Sequence, residues 1–213
     1  MLKRNFWQKK LQLIVKQIEN RKEFLKDTYN IDAELEFNIM SGFYIIRKLN
    51  EHKKLTNKFI STNIKGNKYP FLEGKRITPF NDHKWPEFYD FNNKLKAKFD
   101  VIFLCNQFVH SFYFINYEEF VDRSINENLE NINDDEYYKL CKTHKRKHQK
   151  ILFNSDDTKF ENLFEIEIDK IVSLFKEVSL MDITKISIIY NQKKDKYDYF
   201  QSDEKMELPE ELK

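Results

Sequence analysis

The spacing of apolar residues changes after His110, and no other property of the sequence limits the fold so strongly. Before His110, apolar side chains recur every three or four residues over 4–28 and 32–55, which predicts two amphipathic helices. After it, apolar and polar residues alternate, as from Phe164 to Ile168, which predicts strands. The pattern favours an α+β fold, with an N-terminal helical bundle followed by an antiparallel β-containing half with one or two helices.

The same pattern suggests how the chain is organised. Residues 1–115 form a predicted helical region, interrupted at 56–92 by an irregular aromatic excursion that holds the three internal prolines and shows no sustained period. A third helix is expected from 93 to 110. An antiparallel β/α region is predicted over 116–201, including a hairpin near its end, and a frayed acidic tail over 202–213.

Composition excludes several classes of protein. The chain has 3 glycines among 213 residues, and Gly42, Gly66 and Gly74 are too far apart for either Gly-rich phosphate loop. Gly42 is expected at a close contact between helices. No apolar run reaches the roughly 18 residues of a membrane helix, and no secretory signal is visible, so a cytoplasmic protein without membrane contact is expected.

The charge count says little about partners. The chain has 31 Lys and 6 Arg against 35 acidic residues, together with 20 Asn. Such a bias is what an AT-rich genome imposes on any protein, so the net charge of +2 is weak evidence for a polyanionic partner. The rarity of Arg makes each one, including Arg47, informative.

Asn106 and His110 form the most specific local pattern. They are four residues apart and therefore share one face of the predicted third helix, at the end of an apolar stripe. A histidine oriented by an asparagine can act as acid or base near neutral pH, and RNA cleavage by 2′-OH attack needs such a group. The alternative is a buried histidine that satisfies its own hydrogen bonds.

The string of Asn106, His110 and Ser111 late in a helical bundle resembles the motif of the HEPN superfamily, which comprises all-helical RNases and RNA-binding proteins of bacterial defence and toxin–antitoxin systems. The resemblance covers residues 4–115. It implies that His110 serves the 2′-OH, that Asn106 orients it, and that the protein forms a homodimer through the second and third helices. The family has Arg directly before the polar residue, whereas this chain has Cys105.

Arg47 offers a replacement for the missing arginine. It comes after most of the apolar residues of the second helix, and Arg47 with His52 also fits the spacing of the motif. One interpretation pairs Arg47 with Glu51 and His52 at the helix end. The other, motivated by Cys105, is that Arg47 meets Asn106 and His110 in space and contacts the scissile phosphate.

Two further segments have alternative interpretations. A basic segment after residue 138 either forms ion pairs with the preceding acidic segment or binds RNA through Lys142, Lys145, Arg146 and Lys147. The aromatic residues of the excursion either stack on bases, or they form a small second core or a partner-binding surface. Cys141, His144 and His148 lack an obvious fourth ligand, so no metal site and no cofactor are predicted.

The resemblance implies an RNA-binding, HEPN-like protein of a bacterial defence or toxin–antitoxin system, and it makes His110, Asn106 and Arg47 the candidate residues for metal-independent cleavage of RNA. The expected partners are RNA, a second copy of the chain, and a protein partner such as an antitoxin. The alternative is a non-catalytic protein-interaction module built on a degenerate HEPN-like bundle, which the cysteine at position 105 favours.

Overall fold

A computed structural model describes residues 3–20, 23–24 and 29–202 of the protein. Its helices are α1 (Arg4–Asn20), α2 (Tyr29–Glu51), α3 (Asn57–Ile60), α4 (Val101–Val109), α5 (Arg123–Asn126), α6 (Asp134–Thr143) and α7 (Ile168–Leu180). Its strands are β1 (Glu23–Phe24), β2 (Asn63–Pro70), β3 (Leu95–Asp100), β4 (Ser111–Phe120), β5 (Arg146–Ser155), β6 (Asn162–Glu167), β7 (Lys185–Asn191) and β8 (Lys196–Ser202). The protein is mixed α+β with an antiparallel sheet, as the sequence predicts.

The main sheet is built around β5. β4 pairs along one edge of β5, while β6 and the two-residue β1 pair along the other. β2 then pairs with β6, and β3 pairs with β2, all in antiparallel orientation. Strands from residues 63–100 therefore complete a sheet whose centre comes from residues 146–167. β7 and β8 form a separate hairpin, as predicted.

The helices cover one face of this sheet. Alternation along β5 directs Phe153 to that face, where its ring stacks on Phe108 of α4 with 4.5 Å between centroids. Phe108 stacks in turn on Phe43 of α2 at 4.5 Å. α2 and α7 approach closely at Gly42, since a Cβ there would collide with the ring of Phe175. The prediction that Gly42 is a helix contact point is confirmed.

Residues 71–92 cover the opposite face. Most of their aromatic side chains turn inward and form a small second core with side chains from β2, β4, β5 and β6. Its buried members are Tyr69, Ile77, Phe88, Tyr89, Tyr113, Leu152 and Leu163. This confirms the second-core interpretation of the aromatic segment, although Phe80 is 91% exposed.

The structure differs from the sequence analysis in the middle of the chain. The segment predicted to be irregular contains β2, and the first part of the predicted third helix is β3. α4 begins only at Val101, because Asp100 caps it by accepting a hydrogen bond from the backbone N–H of Phe103. Gly66 lies in β2 opposite Ala97, and the ring of Phe99 packs against it; because Gly66 has no side chain, the apolar alternation that would reveal the strand is interrupted.

Other boundaries shift as well. α2 runs from Tyr29 to Glu51, so it begins and ends a few residues before the predicted bounds of 32 and 55, and Asp32 lies in its first turn. The predicted boundary between residues 115 and 116 falls inside β4. Leu25, predicted in the first helix, and residues 203–213 of the predicted tail lie outside the described residues. Among residues 3–20, 23–24 and 29–202, no helix is long and apolar enough to cross a membrane.

Candidate functional site

The structure brings Arg47 and His110 together at the ends of two helices. Arg47 lies in the last turns of α2, and His110 is the C-terminal cap of α4, just before β4. Nη1 of Arg47 lies 3.2 Å from Nε2 of His110, although the two residues are 63 positions apart. Because a guanidinium only donates, Nε2 must accept this hydrogen bond, which requires a neutral imidazole with its proton on Nδ1.

Glu51 holds the other side of the guanidinium. Nε of Arg47 donates to Oε1 of Glu51 at 3.2 Å, and Nζ of Lys48 donates to Oε2 at 2.7 Å. The hydrogen bond from Lys48 lowers the pKa of the Glu51 carboxyl, with a smaller contribution from Arg47. The expected pairing of Arg47 with Glu51 is therefore present. It uses Nε of the guanidinium, while Nη1 contacts the imidazole of His110.

The two other residues of the motif contribute differently. Asn106 is exposed one turn before His110, and its carbonyl oxygen accepts the backbone N–H of His110 at 3.1 Å. Its side chain has no hydrogen bond within the described part of the chain, so the orienting role of Asn106 stays a prediction. Cys105 is buried, and burial raises the pKa of its thiol to about 12, which keeps it protonated. A buried thiol cannot act as nucleophile or phosphate ligand there.

An apolar groove begins beside the pair. It has a volume of about 710 Å³ and runs between α1, α2 and the end of α4, with Val109 at the His110 end. Phe37 and Tyr44 on α2 line it and are 68% and 45% exposed. His110 is exposed and the Arg47 side chain is 34% exposed, so solvent reaches the pair, and the groove with Val109 at its end could receive another molecule beside it.

The basic segment is only partly available for RNA. Lys142 and Lys145 are exposed, and Lys147 is half-buried. Arg146, predicted to contact RNA, is 3% exposed and its Nη1 donates to Oε2 of Glu118 at 2.7 Å. This ion pair joins the acidic and basic segments, as the alternative interpretation predicts, and it removes Arg146 from the RNA-contacting set.

The spacing of Cys141, His144 and His148 does not produce a metal centre. Among the described side chains, one group of three His, Cys, Asp or Glu has ligand atoms close enough for a shared ion, and it consists of Asp32, Glu118 and His148. The sequence analysis missed this group because its members come from three distant segments.

A buried carboxylate, Glu165, occupies the loop-covered face of the sheet and was also missed. Its oxygens lie 2.7 Å from Nζ of Lys94, 2.8 Å from the hydroxyl of Tyr69 and 2.6 Å from the amide of Asn67. Burial opposes its ionisation, but the hydrogen bonds from these groups outweigh it and lower its pKa to about 2. The alternation of Phe164, Glu165 and Ile166 is the signal that places this carboxylate opposite the helices.

Comparisons with protein-family models, with curated proteins and with solved structures find nothing that matches this chain. No relative therefore assigns a role to Arg47, Asn106 or His110.

Proposed function

We propose that the protein binds RNA at the Arg47–His110 pair and cleaves it without a metal ion, as a HEPN-like endoribonuclease of a bacterial defence or toxin–antitoxin system. The observation that carries the proposal is the 3.2 Å contact between Nη1 of Arg47 and Nε2 of His110. It supplies from α2 the arginine that the motif lacks at Cys105. An exposed pair of a base and a cation is what cleavage by the neighbouring 2′-OH requires.

The chemistry follows from the two side chains. His110 Nε2 takes the proton of the ribose 2′-OH as the 2′-oxygen attacks the adjacent phosphorus. The bond between phosphorus and the 5′-oxygen breaks, and the 5′-oxygen leaves with a proton from water. The products are a 2′,3′-cyclic phosphate and a 5′-hydroxyl end.

Arg47 would serve the phosphate. Its guanidinium can turn from the imidazole to the non-bridging oxygens, where its planar fork matches a phosphate and stabilises the charge of the transition state. This frees Nε2 of His110 for the 2′-OH. The hydrogen bond from Nε of Arg47 to Glu51 is kept during this movement, so the guanidinium rotates about the side that carries Nε.

The test is incubation of the protein with single-stranded RNA in the presence of EDTA, with the ends of the products identified. His110→Ala is expected to reduce cleavage by about 10²- to 10⁴-fold, the usual worth of a general base. Arg47→Ala should reduce it by about 10²-fold or more, and Arg47→Lys should restore only part of it, because an ammonium lacks the fork.

His52→Ala is the matched control. His52 is an exposed histidine close to Arg47 in sequence and fits the same motif spacing. Unchanged cleavage by His52→Ala beside a loss in His110→Ala supports the proposal. Absence of cleavage by the wild-type chain, or equal cleavage by wild type and His110→Ala, would overturn it.

RNA binding itself is expected to depend on salt. Lys142, Lys145 and Lys147 are the predicted contacts to the RNA backbone, and each phosphate contact steepens the fall of affinity with salt. A charge-removing triple change to Gln should flatten the salt dependence of binding measured by fluorescence anisotropy. An unchanged slope would exclude these lysines as contacts.

The apolar groove favours a second candidate function, that of a non-catalytic module that associates with another copy of the chain. Its exposed Phe37 lies on α2, one of the helices through which the resemblance implies a homodimer. Light scattering should show a dimer for the wild type and a monomer for Phe37→Glu, because a carboxylate is costly to bury in an apolar interface. A dimer without EDTA-resistant cleavage supports the module, and a wild-type monomer contradicts it.

A further inference from the structure

A second polar cluster lies at the other end of α2, where its first turn meets β4 and β5. Asp32 belongs to that turn, Glu118 to β4 and His148 to β5. One carboxylate oxygen from each acid and one ring nitrogen of His148 all lie within 4.8 Å of one another. The cluster draws on three segments that are distant in sequence.

Asn116 on β4 has an amide group in the middle of this cluster. Its Nδ2 lies 2.8 Å from Oδ1 of Asp32, 3.1 Å from Oε1 of Glu118 and 2.6 Å from Nδ1 of His148. An amide NH₂ has two hydrogens, so it cannot give each of three acceptors a hydrogen of its own. Its Oδ1 is buried and has no hydrogen-bond partner among the residues that the structure describes.

A bound cation would account both for the three acceptors around one NH₂ group and for the Oδ1 that has no hydrogen-bond partner. With a positive ion between the three acceptors, the amide of Asn116 can turn by half a rotation and present Oδ1 to the ion, since nitrogen and oxygen of an amide occupy nearly equivalent positions. Ligands about 2.1 Å from an ion lie roughly 3.0 to 3.4 Å apart when adjacent and about 4.2 Å apart when opposite. The separations in the cluster run from 2.6 Å to at most 4.8 Å and bracket this range, so an ion would need small movements of the side chains.

We infer that Asp32, Asn116, Glu118 and His148 form a binding site for a divalent transition-metal ion, with two carboxylates, one amide oxygen and one imidazole nitrogen as ligands. Carboxylate and carbonyl oxygens alone suit Mg²⁺ and Ca²⁺, whereas an imidazole in the set favours ions such as Mn²⁺ and Zn²⁺. The cluster carries two carboxylates against the one guanidinium of Arg146, and this balance attracts a cation.

The surroundings resemble the outer shell of a metal site. His148 is 3% exposed, and its Nδ1 faces the cluster, 2.6 Å from Nδ2 of Asn116. Arg146 donates to Oε2 of Glu118 at 2.7 Å, which leaves Oε1 facing the cluster. Hydrogen bonds of this kind orient the ligands of metal sites. The ring of Phe24 packs against His148 with 4.6 Å between centroids.

The site is separate from the proposed function. Asp32 and Arg47 lie near opposite ends of α2, roughly 22 Å apart along its axis at about 1.5 Å per residue. An ion held by Asp32, Glu118 and His148 would tie the first turn of α2 to β4 and β5. It would stabilise the folded chain by an amount that grows with the logarithm of the ion concentration, and it would take no part in RNA cleavage.

The first test titrates Mn²⁺ alone into the whole chain and follows free Mn²⁺ by electron paramagnetic resonance. One tightly bound ion per chain is expected, and Asp32→Asn should weaken binding by about 10-fold or more. Asp157→Asn removes an exposed carboxylate in the turn between β5 and β6 and is the matched control, with no expected change. Mn²⁺ that stays free with the wild type, or equal binding by Asp32→Asn, would overturn the inference.

The second test uses Asn116→Asp and reads stability, not activity. A third carboxylate beside Asp32 and Glu118 should lower the melting temperature in EDTA through repulsion, and Mn²⁺ should restore or exceed the wild-type value. If Nδ2 of Asn116 serves only as a hydrogen-bond donor, the variant stays destabilised with Mn²⁺ as well, and the metal site is excluded. RNA cleavage in EDTA is measured on separate samples, so failure of one proposal leaves the other intact.

Discussion

The two faces of the main sheet are built on different principles. The helical face is filled by rings and aliphatic side chains from α1, α2, α4 and α7, such as the stack of Phe43, Phe108 and Phe153. The loop-covered face combines tyrosines with a buried carboxylate, Glu165, whose partners are hydrogen-bond donors and cations. The first face therefore depends on shape and volume, while the second depends also on the ionisation of one carboxyl.

The position of the candidate active site agrees with this division. Arg47 and His110 lie at the rim of the helical face, where α2 and α4 end and the apolar core stops. Their polar groups can face solvent and a substrate without disturbing the packing beneath them. The four predictions that follow test the division, beginning with the largest expected effect.

Phe153→Ala and Leu152→Ala compare the two faces at neighbouring positions of β5. Both side chains are buried, the first under the helices and the second under residues 71–92. We expect the free energy of unfolding to fall by about 4 kcal/mol for Phe153→Ala and by about 2 to 3 kcal/mol for Leu152→Ala, because a ring leaves a larger cavity. Urea unfolding measures both values, and an equal loss would show that the two faces contribute alike.

Gly42→Ala tests close packing on the helical face. Alanine favours a helix over glycine by about 1 kcal/mol, yet the new Cβ would meet the buried ring of Phe175. We expect a net loss of about 2 kcal/mol in the free energy of unfolding. Ser41→Ala, at the adjacent position of α2, is the control and should change stability little. A stabilised Gly42→Ala variant would disprove the contact.

Glu165→Gln tests the loop-covered face through pH. The pKa of this carboxyl falls from 4.5 to about 2 on folding, so its charge stabilises the protein above about pH 5, and the effect is lost as pH falls towards 2. At pH 7 we expect a loss of roughly 1 to 2 kcal/mol, which should vanish in acid. Glu167→Gln, an exposed carboxylate at the end of the same strand, should show neither effect.

Arg47→Ala and His110→Ala should have the smallest effect on folding. The Arg47 side chain is 34% exposed and His110 is an exposed residue. We expect each change to shift the free energy of unfolding by less than about 0.5 kcal/mol, even where it abolishes cleavage. A large loss of stability in thermal unfolding would mean that the pair holds α2 to α4 and is structural.

The sequence predicts those helices and strands whose apolar residues are regularly spaced and which pack against the core on one side only. α1, most of α2 and α7 show helical periodicity, and the β7–β8 hairpin shows alternation, so both kinds of element are where the pattern indicates. Apolar residues also alternate in β3, at Leu95, Ala97 and Phe99. This alternation is short and runs directly into the apolar residues of α4, so the two segments together resemble one long helix. The cap residue Asp100 marks where the two elements separate.

The candidate site was predictable only in part. The four-residue spacing of Asn106 and His110 can be found in the sequence, whereas the meeting of Arg47 with His110 depends on how α2 packs against α4. The cluster of Asp32, Asn116, Glu118 and His148 gives no local signal at all, because β4 and β5 must pair before its members come together. Long-range strand pairing is the part of the structure that single-sequence patterns do not contain.

The pairing of β2 with β6 also sets an order of events during synthesis. Asn67 and its partner Glu165 are 98 positions apart. While the ribosome is still making the residues between them, β2 can pair only with β3, and one edge of that hairpin stays open. Distant pairing of this kind slows folding. The central edge of β2 is therefore covered only after residues 162–167 have left the ribosome, and until then a nascent chain must be kept from pairing with its neighbours.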